Sequence, residues 1–253
     1  MSAVEQEPGE EASFFSHLVE LRQRLLKAVL AVGVVLLCLL PFANKLYAWL
    51  AEPLLRNLPA GGKLVAIEVA SPFFTPLKLA FCTALVVAMP VVLYQLWAFV
   101  APGLYRHEKR LGVPLLVSSV ALFYLGGAFA YFLVLPTVFS FLAKITPEGV
   151  AMMTDIGKYL DFVLVIFFAF GLCFEVPVAV VILVALGWVT PTQLTESRGY
   201  VIVGAFVVAA ILTPPDVVSQ VMLAVPMCLL YEIGIIAART VAKRPATPAG
   251  TDS

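Results

Sequence analysis

Long stretches without Asp, Glu, Lys or Arg constrain this chain more than any other feature. They run over 28–44, 79–105, 111–143, 162–174, 176–195, 199–215 and 217–231. A hydrocarbon core of about 30 Å is crossed by about 20 helical residues. Glu175 alone separates 162–174 from 176–195, so those two stretches form one span. None alternates polar and apolar residues as barrel strands must. The chain therefore reads as an all-α integral membrane protein with six transmembrane helices. They are placed near 25–43, 73–99, 113–136, 159–187, 200–212 and 218–237. Composition agrees: 62% of residues are hydrophobic and 13% charged, where a soluble domain carries about 25% charged. Sixteen basic residues balance sixteen acidic ones, so nothing favours nucleic acid.

Six spans put both termini on one side of the membrane. Arg22, Arg24, Lys27, Arg106, Lys109, Arg110, Arg198, Arg239, Lys243 and Arg244 lie on that side; Lys45, Arg56, Lys63, Lys78, Lys144 and Lys158 lie opposite. The excess of basic residues predicts cytoplasmic termini. The whole chain, 1–253, is one membrane domain. Residues 1–24 form an amphipathic cytoplasmic lead-in with Ser13 and Ser16 as N-cap candidates, and 239–253 form a polar disordered tail. Residues 44–72 and 137–158 form two outer caps. The first has Leu46, Trp49, Leu50 and Leu54 on one face and predicts a short interfacial helix, bent at Pro53 and ended by Pro59-Ala60-Gly61-Gly62. The fifth span is only 13 residues, about 20 Å of helix. Bends are expected at Pro72, Pro76, Pro90, Pro114, Pro136, Pro177 and Pro226.

Scarce charge makes the exceptions informative. Glu175 lies near mid-span, where a carboxylate is costly unless paired, wetted or protonated. Asp161 is fourteen residues earlier, within about 40° of the same helix face and about 21 Å away, which suggests a polar stripe. Asp216 and Gln220 share a face at the start of span six, beside Thr213. An N-terminal cap or dipole partner is the plain reading of Asp216; Gln220, one turn deeper, predicts a bond to another helix. Glu20 has a plain reading as an i,i+4 pair with Arg24, and Glu108 as a solvated loop charge. Their alternative is to receive two guanidiniums bidentately. The four cysteines lack metal-ligand spacing, and neither histidine lies at membrane depth, so no enzyme, metal or cofactor is expected. A small-molecule or ion transporter using Glu175, Asp161 and Asp216 is the alternative function, opposed by the absence of an internal repeat.

Several segments carry a resemblance: His17-Leu18-Val19-Glu20-Leu21-Arg22, Ser71-Pro72-Phe73-Phe74-Thr75-Pro76, Trp97-Ala98-Phe99-Val100-Ala101-Pro102 and Tyr105-Arg106-His107-Glu108. Phe174-Glu175-Val176-Pro177, Gly204-Ala205-Phe206, Thr213-Pro214-Pro215-Asp216 and Glu232-Ile233-Gly234 follow in order. From about residue 13 to 238 the chain resembles the TatC family, multispanning signal-peptide receptors of the twin-arginine protein translocase. The resemblance implies a cupped, concave bundle with short fifth and sixth spans in the bacterial cytoplasmic membrane. It implies that Glu20 and Glu108 receive the arginines of Arg-Arg signal peptides on folded cargo, with Arg22, Phe99 and Leu104 at the same site. It places Glu175, Thr213, Asp216 and Gln220 at intramembrane polar and partner-helix positions, and Pro53 and Phe73 at outer-cap positions. The implied partners are TatA/TatB-type single-span proteins and signal peptides, in an oligomer of receptor complexes. The loop before span five, Gln193–Gly199, carries fewer basic residues than the resemblance implies.

Overall fold

In lipid a backbone N–H or C=O has no partner but its own chain, and a continuous helix satisfies nearly all of them. The computed structural model describes residues 8–57, 63–100, 112–145, 153–212 and 217–242. Over these the protein is almost wholly helical. The elements are α1 (Pro8–Leu39), a 3-10 turn (Leu40–Phe42), α2 (Ala43–Asn57), β1 (Lys63–Val65), α3 (Ser71–Val100) and α4 (Gly112–Phe129). A π segment (Ala130–Val134), α5 (Leu135–Ile145), β2 (Met153–Asp155), α6 (Ile156–Phe174) and α7 (Val176–Ala185) follow. The chain then forms α8 (Pro191–Glu196), α9 (Arg198–Leu212) and α10 (Val217–Ala242). Five helical stretches are long and apolar enough to cross a membrane: Leu18–Glu52, Ser71–Phe99, Gly112–Leu142, Ile156–Ala185 and Gln220–Thr240. The shorter apolar helix α9 stands at the place of the expected fifth span.

Several expectations change in detail. Helix α1 begins at Pro8, so Ser13 and Ser16 lie inside it rather than capping it; proline suits a first turn, where its missing N–H costs nothing. Helix α9 has 15 residues, about 22 Å. Helix α10 has 26 residues, of which Gln220–Thr240, 21 residues, form a span shorter than the 29 to 35 residues of the first four. The helical assignment continues through Pro76, Pro90 and Pro226. It changes at Pro136, which cannot donate to the carbonyl four residues back; there the ladder loosens to π form, with the Leu135 amide donating to the Ala130 carbonyl. It breaks at Glu175, two residues before Pro177.

The helices pack in neighbouring pairs: α1 along α3, α4 along α6, and α10 along both α7 and α9. Small residues set the approach. A Cβ on Gly126 of α4 would stand 2.5 Å from the Phe170 carbonyl oxygen of α6. A Cβ on Gly234 of α10 would stand 2.9 Å from the Pro177 Cα of α7. The main core gathers Val134, Leu135, Val138 and Phe139 against Tyr159, Val163, Ile166 and Phe170. Helix α1 buries chiefly Ala28 and Val32 against α3, leaving Leu25, Leu30 and Leu37 more than half exposed. Such a face is at home in hydrocarbon and not in water.

One end of the bundle carries a cap. Helix α2 follows α1 almost without interruption, as its one-sided apolar pattern predicts. Strands β1 and β2 pair in parallel, Lys63 opposite Met153 and Val65 opposite Asp155, joining the two loop regions. Three tyrosines anchor α2: Tyr159 Oη donates to the Leu50 carbonyl at 2.7 Å, Tyr131 Oη to that of Trp49 at 3.2 Å, and Tyr47 Oη to that of Ile156 at 3.5 Å. Asp155 caps α6, its Oδ1 accepting from the Gly157 and Lys158 amides at 2.9 Å. Its Oδ2 accepts from the Ile67 amide at 3.1 Å. These backbone bonds, that of Lys158 foremost, hold the carboxyl below the usual aspartate range. The turn 59–62 lies outside the described residues.

Candidate functional site

Glu20 sits on α1 toward the end away from the cap. Its Oε1 accepts from Arg24 Nε at 3.0 Å and from Arg24 Nη2. The plain i,i+4 pair is therefore present, and the geometry shows that this carboxylate accepts a guanidinium through two N–H groups. Glu20 Oε2 has no hydrogen-bond partner among the described residues. Arg22 is exposed two residues on.

The pairing of α1 with α3 sets what stands beside Glu20. Val32 packs against Ala84 and Ala88. The two helices run antiparallel, since α1 ends and α3 begins at the cap. Twelve residues back from Val32 lies Glu20, about 18 Å along the axis. The same distance forward from the Ala84–Ala88 contact reaches the level of Phe99 on α3. Phe99 is half-buried there. The structure thus brings Glu20, Arg22 and Phe99 to one end. Leu104 and Glu108 lie outside the described residues, as do Thr213 and Asp216.

Glu175 occupies the break between α6 and α7, where its side chain makes no capping bond. Ser119 of α4, 2% exposed, donates its hydroxyl to Glu175 Oε2 at 2.5 Å. Glu175 Oε1 is buried with no hydrogen-bond partner among the described residues. The polar stripe with Asp161 does not form: Asp161 Oδ1 pairs instead with Lys78 Nζ of α3 at 2.5 Å, both side chains about half exposed. A transporter relay would therefore lose Asp161 to an ion pair.

Gln220 Nε2 donates to the Phe206 carbonyl at 3.1 Å, tying α10 to α9. The partner is within the chain, as the cost of a lone amide in lipid predicts. Pro53 lies within the backbone of α2, and its side-chain surroundings are outside the described residues. Phe73 projects from the first turn of α3, 69% exposed, edge-on to Phe74.

Three features escaped the sequence reading. Ser119 has no sequence signal, because its partner is 56 residues away. Arg198 forms a two-bond pair with Glu232, Nε to Oε1 at 2.6 Å and Nη2 to Oε2 at 2.7 Å, so the sparsely basic loop is anchored through α10. Helix α8 had a signal: Thr190-Pro191 followed by Gln193 is a capping box with proline at the first position. The same segment is held by Tyr231 Oη donating to the Leu194 carbonyl and Arg239 Nη2 to Thr195 Oγ1.

Comparison with known proteins adds an independent line. Residues 16–226 match the family described as TatC, Sec-independent protein translocase protein. A relative described as Sec-independent protein translocase protein TatC, from Halothiobacillus neapolitanus, is 59% identical over 228 residues. That match covers 90% of this chain and 62% of the relative, so the chain spans less than two thirds of that protein's length. A relative of the same description from Escherichia coli is 56% identical over 224 residues, covering 88% of this chain and 87% of the relative. A crystal structure described as the twin arginine translocase receptor TatC is 39% identical, with a TM-score of 0.79, covering 90% of this chain and all of that one.

Proposed function

The chain belongs to the TatC family of Sec-independent protein translocase proteins, and from that premise we propose that it is the receptor for Arg-Arg signal peptides on folded cargo. It is a translocase component and not an enzyme. The observation that carries the reading is Glu20. Its carboxylate already accepts a guanidinium, has a second oxygen without a partner among the described residues and stands level with Phe99. A signal arginine takes the place of Arg24 on Glu20, and the other arginine binds Glu108. Arg22 orients this acidic pair within a basic surface, and Phe99 and Leu104 cover the apolar side chains beside the arginines. The signal's hydrophobic segment then lies toward Glu175.

This end faces the cytoplasm of a bacterial inner membrane, because the sequence concentrates basic residues there. Both termini lie on that side, and the caps at 44–72, with Pro53 and Phe73, and at 137–158 face outward. TatA/TatB-type single-span partners dock their helices at the far corner of the α9–α10 hairpin, formed by Thr213, Asp216 and Gln220. Receptor complexes associate into an oligomer.

The test is binding of an Arg-Arg signal peptide to the purified protein. Neutralising both acids, Glu20→Ala with Glu108→Ala, removes two charge-assisted contacts and weakens binding by about a hundredfold or more. Unchanged affinity would show that the arginines bind elsewhere.

A further inference from the structure

A cavity of about 570 Å³ opens between α1, α3 and α6 beside the cap. Its volume is that of an ordinary small-molecule site. One side is polar, with Glu68, Ser71, Thr75, Lys78 and Asp161; the other is apolar, with Leu36, Phe74, Leu77 and Phe81. Ser71, Thr75 and Lys78 recur at i, i+4 and i+7, so a single face of α3 presents them.

Two of these groups offer hydroxyls to the cavity. The Ser71 and Thr75 side chains are buried, 7% and 5% exposed. Neither hydroxyl has a hydrogen-bond partner among the described residues. The hydroxyl oxygens themselves keep access to the cavity, so a group bound there can hydrogen-bond to them. Beside them stand Lys78 and Asp161, paired with each other at 2.5 Å and each about half exposed. The charged groups in the lining are Glu68, Lys78 and Asp161, a net single negative charge.

We propose that this cavity binds one phospholipid whose headgroup carries a primary ammonium beside its phosphodiester, the phosphatidylethanolamine class. The phosphodiester oxygens accept from Ser71 Oγ, Thr75 Oγ1 and Lys78 Nζ. The ammonium donates to Glu68 and to the second oxygen of Asp161. An acyl chain runs along Phe74, Leu77 and Phe81 toward Leu36. The N-termini of α3 and α6 lie at the end of the spans, at headgroup depth, so the polar and apolar halves meet the matching halves of a lipid. A purely anionic headgroup meets the same hydroxyls and lysine but is repelled by the net negative charge.

The full chain in nanodiscs of equal phosphatidylethanolamine and phosphatidylglycerol, released into mild detergent and examined by native mass spectrometry, tests this. Retention of one phosphatidylethanolamine, preferred about tenfold over phosphatidylglycerol, is expected. Ser71→Ala with Thr75→Val keeps the shape, removes both donors and lowers occupancy about tenfold. Asp161→Asn removes one ammonium acceptor and one negative charge, and should erase the preference between the two lipids. Equal retention of both lipids by the unaltered protein, undiminished occupancy in the double variant, or an unchanged preference in Asp161→Asn would overturn the assignment.

Discussion

Replacing Gly126 by alanine tests how tightly α4 is seated on α6. The added Cβ would stand 2.5 Å from the Phe170 carbonyl oxygen and 3.0 Å from both the Phe170 carbonyl carbon and the Phe174 Cβ. The first distance is about 0.9 Å short of ordinary contact, and the obstructing atom belongs to a helix backbone that cannot rotate aside. Helix α4 must therefore lift by up to about 1 Å. Overpacking of this kind costs about 1–3 kcal/mol, while alanine's helix propensity returns up to about 1 kcal/mol. The net loss is about 1–2 kcal/mol. Gly33 of α1 provides the control, because a Cβ there meets nothing within 4 Å; Gly33→Ala should gain up to about 1 kcal/mol. In thermal melts of the detergent-purified protein, one substitution type then shifts Tm in opposite directions, roughly 5 °C apart or more. The effect should also reach Glu175, since Ser119 lies two turns from Gly126 on the same helix. A Gly126→Ala protein melting at or above the unaltered one would refute the close α4–α6 approach.

Two further outcomes concern the ends of the bundle. Asp155 is held below the usual aspartate range, so its contribution is complete above the unfolded value of about 3.9 and is lost as pH falls through the lower folded value. Hydrogen exchange at the Ile67 amide should accelerate below that pH; in Asp155→Asn this acid-dependent change should vanish, and its persistence would point to another group. The Arg198–Glu232 pair is about half exposed, so a double-mutant cycle with Arg198→Ala and Glu232→Ala should give a coupling of about 1 kcal/mol or less. A coupling several times larger would mean that the pair is shielded from solvent and headgroups.

The spans were legible because lipid imposes a single demand, apolar residues over a fixed length, and α3, α6 and α10 meet it without ambiguity. The short α9 was legible for the same reason, since Arg198 and Asp216 bound its apolar stretch. The cap was legible only in part. Helix α2 carries its own one-sided pattern, whereas β1 and β2 are three residues each and exist because Lys63–Val65 meets Met153–Asp155, a pairing across 90 residues that no local pattern encodes. The polar contacts divide similarly. Glu20–Arg24 is local and was readable from spacing; Ser119–Glu175 and Lys78–Asp161 are set by packing between helices. Reading Asp161 with Glu175 followed helix periodicity correctly but ignored what α3 presents across the interface.

The most direct measurement of the central claim places a photo-crosslinker beside the arginine pair of a signal peptide and maps where it is captured. Capture should concentrate on the α1 face around Glu20 and on the end of α3 around Phe99, and should fall sharply when the peptide carries Lys-Lys, which cannot bind a carboxylate as a planar fork. Capture centred on the cap, around Leu64 or Asp155, or equal capture of the Lys-Lys peptide, would contradict the account.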